Sequence, residues 1–246
     1  MPADNAAGWD RWSAAYQAGA SLPTDVVTYG PDIATERDLR LLGDVKGKRV
    51  LELGCGGAQC AVALARQGAI TIGVDASAEQ LAHAKALAGR EGVRVELRHG
   101  DLADLAFLRA DSVDLVLSAY ALGYVEDVGR VFRQVHRVLR VGAPLVFSLE
   151  HPASHMVDTD GDGPMLVSRS YFDRSPIDWS AGQGIELTTY PHTVAELVMA
   201  LVRSSYRVDA LVEPAPTGTG PRSQHWHESM HYLPRTLVIR ARKEGN

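Results

Sequence analysis

Three carboxylates stand at equivalent places in this 246-residue chain, each at or just after a short apolar segment. Glu52 lies within segment 50–53, Asp75 follows segment 70–74, and Asp101 follows segment 93–97. Gly54 and Gly56 come directly after the first segment, and glycines in such a turn let the backbone approach a ligand closely. Three acids at three successive strand ends are difficult to explain as caps alone, so they predict a ligand site.

The position of each acid indicates which ligand this site takes. Glu52 would repel a pyrophosphate, whereas a nucleoside with a positively charged sulfonium and ammonium end tolerates the anion. Asp75 can accept both hydroxyls of a ribose, and Asp101 can accept the amino group of adenine, with Leu102 as an apolar wall. The dinucleotide fingerprint is incomplete, because Gln59 occupies its third glycine position. An acid at the position of Asp75 is also found in NAD sites, so it is Glu52 and the missing third glycine that favour S-adenosylmethionine over NAD.

A parallel sheet is the element that would bring these residues together. Apolar, β-branched runs predict strands at 50–53, 70–74, 93–97, 113–118 and 145–149. Helical patterns lie between them at 58–67, 78–90 and 125–139, the second with Ser77 as its N-cap. This alternation predicts a doubly wound α/β fold with helices on both faces. Ligands of such sheets bind at the carboxyl ends of the strands, where the acids lie.

The rest of the chain is organised around this core. We predict lid helices in residues 1–45, the cofactor-binding core in 46–150, a cap in 151–192 and the C-terminal part of the core in 193–246. The cap segment is rich in glycine, proline, aspartate and serine, and it is too long for a plain connection. The last part is predicted to contain a helix at 193–205 and strands at 207–212 and 236–240.

Five sequence strings occur in order in and just after the segment 49–149, from Val50 to Pro152: VLELGCGGA, GVDAS, GDLADL, DSVDLVLSAYALGYV and VLRVGAPLVFSLEHP. In this order they resemble the class I S-adenosylmethionine-dependent methyltransferases. The resemblance implies a seven-stranded sheet with an antiparallel last strand, and S-adenosylmethionine as the cofactor. The string WDRWSAAYQ is similar to the N-terminal lid helix of members that act on small molecules. Ala58 departs from the pattern, since many members have a third glycine there.

The resemblance also implies roles for individual residues. It assigns Glu52 and the two loop glycines to the methionine end, Asp75 to the ribose, Asp101 with Leu102 to adenine, and residues 118–120 to the floor that faces the methyl group. The predicted cofactor contacts are Tyr16, Glu52, Gly54, Cys55, Gly56, Asp75, Ala76, Gln80, Asp101, Leu102, Ser118, Ala119 and Tyr120.

The methyl acceptor is expected to be a small molecule. A formal net charge of −5 lacks the basic footprint of nucleic-acid-binding proteins. The fourth strand is not followed by an Asp/Asn-Pro-Pro-aromatic signature, and neither cysteine lies after it as a covalent cytosine mechanism requires. Five side chains are candidates for lining the acceptor pocket: Tyr29, His155, Tyr171, Trp179 and His192. For the last four, simple packing within the cap is the preferred interpretation.

His151, just past the fifth strand, is the candidate general base. An imidazole titrates near pH 6.5, so it can take a proton from a hydroxyl or amine acceptor. Packing or hydrogen bonding within the cap is an equal alternative. Because methyl transfer is an in-line displacement, proximity supplies much of the acceleration in either case. The sequence leaves open O-, N- or C-methylation and the oligomeric state.

Two metal-like motifs are interpreted as chance matches, and we expect no bound metal. Residues 227–231 match H-E-x-x-H, but Pro221 and Pro234 bracket a short segment and only Glu244 remains downstream as an acidic ligand. Residues 158–163 open like a calcium loop, but Arg169 stands where that loop needs a bidentate glutamate.

Location and the rival functions complete the expectations. No secretory signal or membrane-spanning run is visible, and two cysteines in one loop–helix segment are read as reduced thiols, so we expect a cytoplasmic protein without a membrane partner. The main alternative is a non-catalytic S-adenosylmethionine-binding protein of the same fold. A NAD-dependent oxidoreductase is less favoured, because Glu52 and the missing third glycine oppose it.

Overall fold

A computed structural model of the protein describes residues 4–158, 165–218, 222–223 and 226–245, and its strands lie within these ranges. In chain order they are β1 (Arg49–Leu53), β2 (Ile70–Asp75), β3 (Val95–His99), β4 (Leu115–Ala119), β5 (Pro144–Glu150), β6 (Val157–Asp158), β7 (Leu166–Val167), β8 (Ile177–Ser180), β9 (Glu186–Thr189), β10 (Tyr206–Val212) and β11 (Thr236–Lys243).

Seven of these strands form the central sheet, in the order β10-β11-β5-β4-β1-β2-β3. The strands β1 to β5 pair in parallel, while β11 runs antiparallel to both of its neighbours, β5 and β10. The predicted seven-stranded sheet with an antiparallel last strand is confirmed. Two small hairpins, β6–β7 and β8–β9, belong to the cap segment.

The described residues contain six α-helices: α1 (Asn5–Ala20), α2 (Glu36–Leu39), α3 (Gln59–Arg66), α4 (Ala78–Arg90), α5 (Val128–Val138) and α6 (Val194–Arg203). The helix α3 begins one residue later than predicted because Ala58 has a left-handed φ of 59°. The helix α5 begins at Val128 because the Asp127 side chain caps it, accepting the Arg130 amide at 2.8 Å. Among the described residues, no helix combines the length and apolar character needed to cross a bilayer.

Apolar side chains cover the sheet on both faces. The neighbours Val146 and Phe147 in β5 point to opposite faces and join different core clusters. Phe147 packs against Phe132 of α5 with ring centroids 5.5 Å apart. Each such fully buried side chain contributes roughly 1.5–3 kcal/mol. The two-sided core fixes the strand ends that carry the predicted site.

The N-terminal helix α1 is joined to the β8–β9 hairpin of the cap. The Asn5 side chain donates to the Thr188 carbonyl at 2.9 Å, and the Thr188 amide donates back to Asn5 Oδ1 at 2.8 Å. Trp12 packs against Trp179 with ring centroids 5.6 Å apart. The predicted lid and cap segments therefore meet each other through both polar and aromatic contacts.

Candidate active site

The turn after β1 brings bare backbone to the ends of the central strands. Gly54 and Gly56 have φ values of 64° and 50°, in the left-handed region that favours glycine. A Cβ added to Gly54 would lie 2.1 Å from the Cβ of Ala121, so no side chain fits there. Cys55 is buried beneath the turn, and its amide donates to the Val74 carbonyl at 3.0 Å.

Glu52 lies underneath this turn. The residue is 4% exposed, and its Oε2 accepts the Ala61 amide in the first turn of α3 at 2.8 Å. Burial raises the pKa of Glu52 to about 8, against the lowering effect of the Ala61 bond, and the neighbouring Asp75 carboxylate raises it further. A cation bound near the turn favours the ionised form. Glu52 thus anchors α3 and has a charge state that depends on the charge of the ligand.

Asp75 stands at the end of β2 and holds two segments together. Its Oδ2 accepts the Gly56 amide at 2.8 Å, and its Oδ1 accepts the Ser77 amide at 2.9 Å. Burial raises the pKa of Asp75, although both bonds lower it. A carboxylate oxygen accepts more than one hydrogen bond, so both oxygens keep capacity for ligand hydroxyls. The exposed Ala76 follows, and its carbonyl lies 2.9 Å from the His99 ring.

Asp101 and Leu102 follow β3 and border the same turn. Asp101 is exposed, and its Oδ1 accepts the Ala103 amide at 2.8 Å. Leu102 is 8% exposed, and its Cδ1 lies 3.7 Å from the point where a Gly54 Cβ would be. The three predicted acids therefore differ in position: Glu52 is beneath the turn, Asp75 is at its edge, and Asp101 is open to solvent.

Polar residues of α1 reach this region, and sequence reasoning missed them. Gln17 accepts Gln59 Nε2 at 2.6 Å and donates to Gln80 Oε1 at 2.7 Å. Gln80, one of the predicted cofactor contacts, is buried, and its side chain is held by Gln17 of the lid helix. An added Cβ at Gly57 would come within 2.8 Å of the Gln17 side chain. Gln17 thus lies directly against the glycine turn.

Asp10, about two turns before Gln17 in α1, contacts the start of α4. Its Oδ1 accepts the Ser77 hydroxyl at 2.6 Å and the Glu79 amide at 3.1 Å, at the N-terminus of α4. Ser13 lies between Asp10 and Gln17, with a buried hydroxyl that has no hydrogen-bond partner in the described part of the chain. The spacing of three and then four residues on one helix face was the signal that could have found this set.

The end of β4 forms the floor beside the turn. Ser118 is fully buried and donates from Oγ to the Leu53 carbonyl at 3.1 Å, which joins β4 to β1. Ala119 ends the strand, and Tyr120 then turns the chain with a left-handed φ of 57°. The Tyr120 hydroxyl lies 2.5 Å from Thr236 Oγ1. The left-handed backbone of Tyr120 and the contact of its hydroxyl with Thr236 together fix the direction of the Tyr120 ring.

A cavity of about 50 Å³ opens beside Tyr120, between the ends of β4 and β5 and the cap. Of the five predicted pocket residues, His155 and His192 line it. Tyr124 is shared between this cavity and an aromatic cluster with Trp9, at a centroid distance of 5.5 Å, and with Trp179, at 6.5 Å. Its walls include the side chains of Tyr120, Tyr124, Glu150, His155, Tyr190 and His192.

Comparison with known proteins identifies the family. The family model described as a methyltransferase domain matches residues 51–147. The crystal structure of an S-adenosylmethionine dependent methyltransferase from Mesorhizobium loti is 31% identical, with a TM-score of 0.72, over 83% of this chain and 95% of that one. The chain belongs to the class I S-adenosylmethionine-dependent methyltransferases. The NAD-dependent alternative is thereby set aside.

Two sequence relatives are also similar to this methyltransferase. An uncharacterized protein of Haemophilus influenzae is 26% identical over 219 residues, 83% of this chain and 85% of the relative. A ubiquinone biosynthesis O-methyltransferase of Hahella chejuensis is 37% identical over 102 residues. That match covers 42% of this chain and 43% of the relative, so the chain spans less than half the length of the O-methyltransferase it resembles.

The residues around the turn fit the family's cofactor, S-adenosylmethionine. The cofactor supplies a methyl group on a positively charged sulfonium. The carboxylates of Glu52 and Asp75 suit a cation without phosphates. Asp75 retains acceptor capacity for the two ribose hydroxyls, and the bare Gly54 backbone leaves room for close approach.

The structure does not present His151 to the cavity. Its side chain is 5% exposed, and Nε2 lies 2.8 Å from Glu213 Oε1. Its Nδ1 accepts the Ala153 amide at 3.0 Å, so the ring caps the short helix Pro152–Met156. Both ring nitrogens are engaged within the fold, which counts against His151 as the base.

Three other predicted pocket residues lie away from the cavity walls. Tyr29 is completely buried in the core and donates to Glu36 Oε2 at 2.6 Å. The Tyr171 hydroxyl accepts the Val194 amide at 3.1 Å at the start of α6. Trp179 belongs to the aromatic cluster between lid and cap. Their positions give Tyr29, Tyr171 and Trp179 packing or capping roles.

The structure describes the H-E-x-x-H segment but only the first residue of the calcium-like segment. Residues 228–231 form one turn of 3₁₀-helix rather than the long α-helix of a zinc protease, and the His227 ring accepts the Ser229 amide at 3.0 Å. No group of three or more potential metal ligands lies together among the described residues. Most of the calcium-like run at 158–163 lies outside the described residues.

Proposed function

We propose that this methyltransferase transfers a methyl group from S-adenosylmethionine to a small molecule bound in the cavity beside Tyr120. The observation that carries the proposal is the position of this cavity, next to the floor at the end of β4 and closed by the cap. The glycine turn and Asp75 bind the cofactor in this proposal, and residues 118–120 form the floor that faces its methyl group where the acceptor meets it.

The size and setting of the cavity support a small acceptor. A volume of about 50 Å³ accommodates only the reacting end of an acceptor, because typical small-molecule sites measure ~300–1,000 Å³. The net charge of −5 gives little attraction for a nucleic acid. The O-methyltransferase among the relatives is consistent with a small acceptor, although the similarity covers less than half of its length.

The experiment has two stages that separate binding from catalysis. Calorimetry with S-adenosylhomocysteine should give saturable one-site binding, and NAD should give none. A methyl-transfer screen should then find product with small hydroxyl or amine compounds and none with DNA, RNA or protein. Methylation of a nucleic acid, or binding without transfer to any acceptor, is the result that refutes the proposed function.

A further inference from the structure

The cavity walls carry a charged pair whose charges compensate each other. Glu150 at the end of β5 is the only formally charged residue among the described residues that line the cavity. Its Oε1 lies 3.1 Å from Arg235 Nη2, just before β11. A carboxylate or phosphate on the acceptor would thus find no unpaired cation, and a cationic acceptor would compete with Arg235. The site favours a neutral acceptor.

His155 stands on the other side of Glu150. Its Nδ1 lies 4.0 Å from Glu150 Oε2, and the side chain is 18% exposed at the cavity wall. Burial lowers the pKa of His155, although Glu150 raises it, so the ring is neutral near pH 7 and can accept a proton. Hydrogen bonds of catalytic groups are often long before the substrate binds. Glu150 is placed to stabilise the imidazolium that proton transfer creates.

His192 offers a second imidazole to the same cavity. Its Nε2 is buried and has no hydrogen-bond partner among the described residues. The Val125 carbonyl lies next to the ring, and burial lowers the pKa of His192. A buried ring nitrogen without a partner is costly unless a ligand satisfies it. The rings of Tyr120, Tyr124 and Tyr190 supply flat apolar walls around it.

We propose that His155 is the general base for methylation of a hydroxyl group on a neutral, ring-shaped small molecule, and that His192 Nε2 binds a polar group of the same acceptor. This inference rests on the proposed function. Glu150 and Arg235 are positioning residues, because they act through His155.

The step is balanced within the site. The acceptor oxygen forms a bond to the methyl carbon, while the carbon–sulfur bond breaks and its electron pair stays on sulfur. The hydroxyl O–H bond breaks, and the proton goes to the His155 ring, beside the Glu150 carboxylate. The products are a methyl ether, a neutral thioether and an imidazolium, which then loses its proton to solvent.

The pH dependence follows from the groups around His155. Those that face it are Glu150, His151, Arg169, His192 and Arg235. Protonation of His155 removes the base, so kcat/KM should fall on the acid side, below the ordinary histidine range. Since Glu150 raises the pKa of His155, Glu150→Gln should move this acid limb to lower pH.

The test uses catechol as the hydroxyl probe, with benzylamine and benzoate for comparison. The wild type should methylate catechol in preference to both. His155→Gln should lower kcat by ~10²-fold or more and abolish the acid limb. His192→Gln should raise KM by ~10-fold with a smaller change in kcat. His136→Gln, at a remote half-buried histidine on α5, is the matched control and should change neither.

Binding of S-adenosylhomocysteine to every variant distinguishes the possible failures. Absence of binding to the wild type overturns the proposed function, and the base assignment with it. Intact binding with His155→Gln within ~3-fold of wild-type kcat overturns the base alone. Transfer to benzylamine or benzoate but not catechol, or to none of the three, overturns the hydroxyl class. Should His155→Gln fail to fold, an unchanged acid limb in Glu150→Gln contradicts the proposal independently.

Discussion

Replacing Glu52 with glutamine isolates the titration of the buried acid beneath the glycine turn. The glutamine keeps an oxygen for the Ala61 amide, 2.8 Å away in the native protein, and removes the ionisable group. The pKa of Glu52 rises from 4.5 to about 8 on folding, chiefly through burial. Between these values the folded protein holds a proton that the unfolded chain has lost. The contribution that the protonated Glu52 makes to the free energy of unfolding is therefore fully present below pH 4.5 and is lost as the pH rises towards 8.

The size of the effect follows from the two pKa values. Each unit of difference is worth about 1.36 kcal/mol, so the full window is worth roughly 5 kcal/mol. Between about pH 5.5 and about pH 8.5 the expected loss is ~3 kcal/mol. No discount for solvent screening applies, because the residue is 4% exposed. Glu52→Gln should lack this loss, since its side chain does not titrate.

Urea unfolding of both proteins at the two pH values measures the difference. The wild type should lose ~3 kcal/mol more than Glu52→Gln between them. Asp209→Asn is the control: although burial raises the pKa of Asp209, hydrogen bonds from Arg240 and Arg242 hold it below its ordinary value, so it stays ionised throughout this range. Parallel pH dependence in the wild type and Glu52→Gln would refute the electrostatic account of this acid.

Two further predictions concern the turn and its neighbours. Asp75→Asn should weaken S-adenosylhomocysteine binding by at least ~10-fold in calorimetry, because Asp75 accepts the Gly56 and Ser77 amides on different oxygens and asparagine has a donor NH₂ group in place of one of them. Asp114→Asn, which also removes a carboxylate that accepts a backbone amide but at the opposite end of the sheet, should leave binding unchanged; equal losses would contradict a cofactor role for Asp75. Ala58→Gly and Ala61→Gly each remove a methyl group from a fully buried site. Since Ala58 is left-handed and Ala61 is helical, Ala58→Gly should cost ~1–2 kcal/mol less in urea unfolding, and equal costs would show that Ala58 is not strained.

The sequence alone predicted the sheet because its strands are short apolar runs separated by helices of regular period. Parallel strands place their carboxyl ends along one edge, so the clustering of Asp75 and Asp101 near the glycine turn followed from strand boundaries alone. The boundary errors were local. Ala58 delays α3 through its left-handed φ, and Asp127 delays α5 by capping it, and neither effect is visible in a hydrophobic pattern.

The functions of individual side chains in the cap depended on tertiary contacts. His151 and His155 are four residues apart, yet the first caps a 3₁₀-helix and bonds Glu213, while the second lines the cavity. Their different surroundings come from partners such as Glu213 and Arg235, which are distant in sequence. Similarly, Gln17 reaches Gln80 only because α1 docks against α4. Local residue spacing determined where the strands of the sheet end and which acids lie there. The direction of a side chain beyond the sheet is set by packing between segments that are distant in sequence, and only the tertiary structure shows that packing.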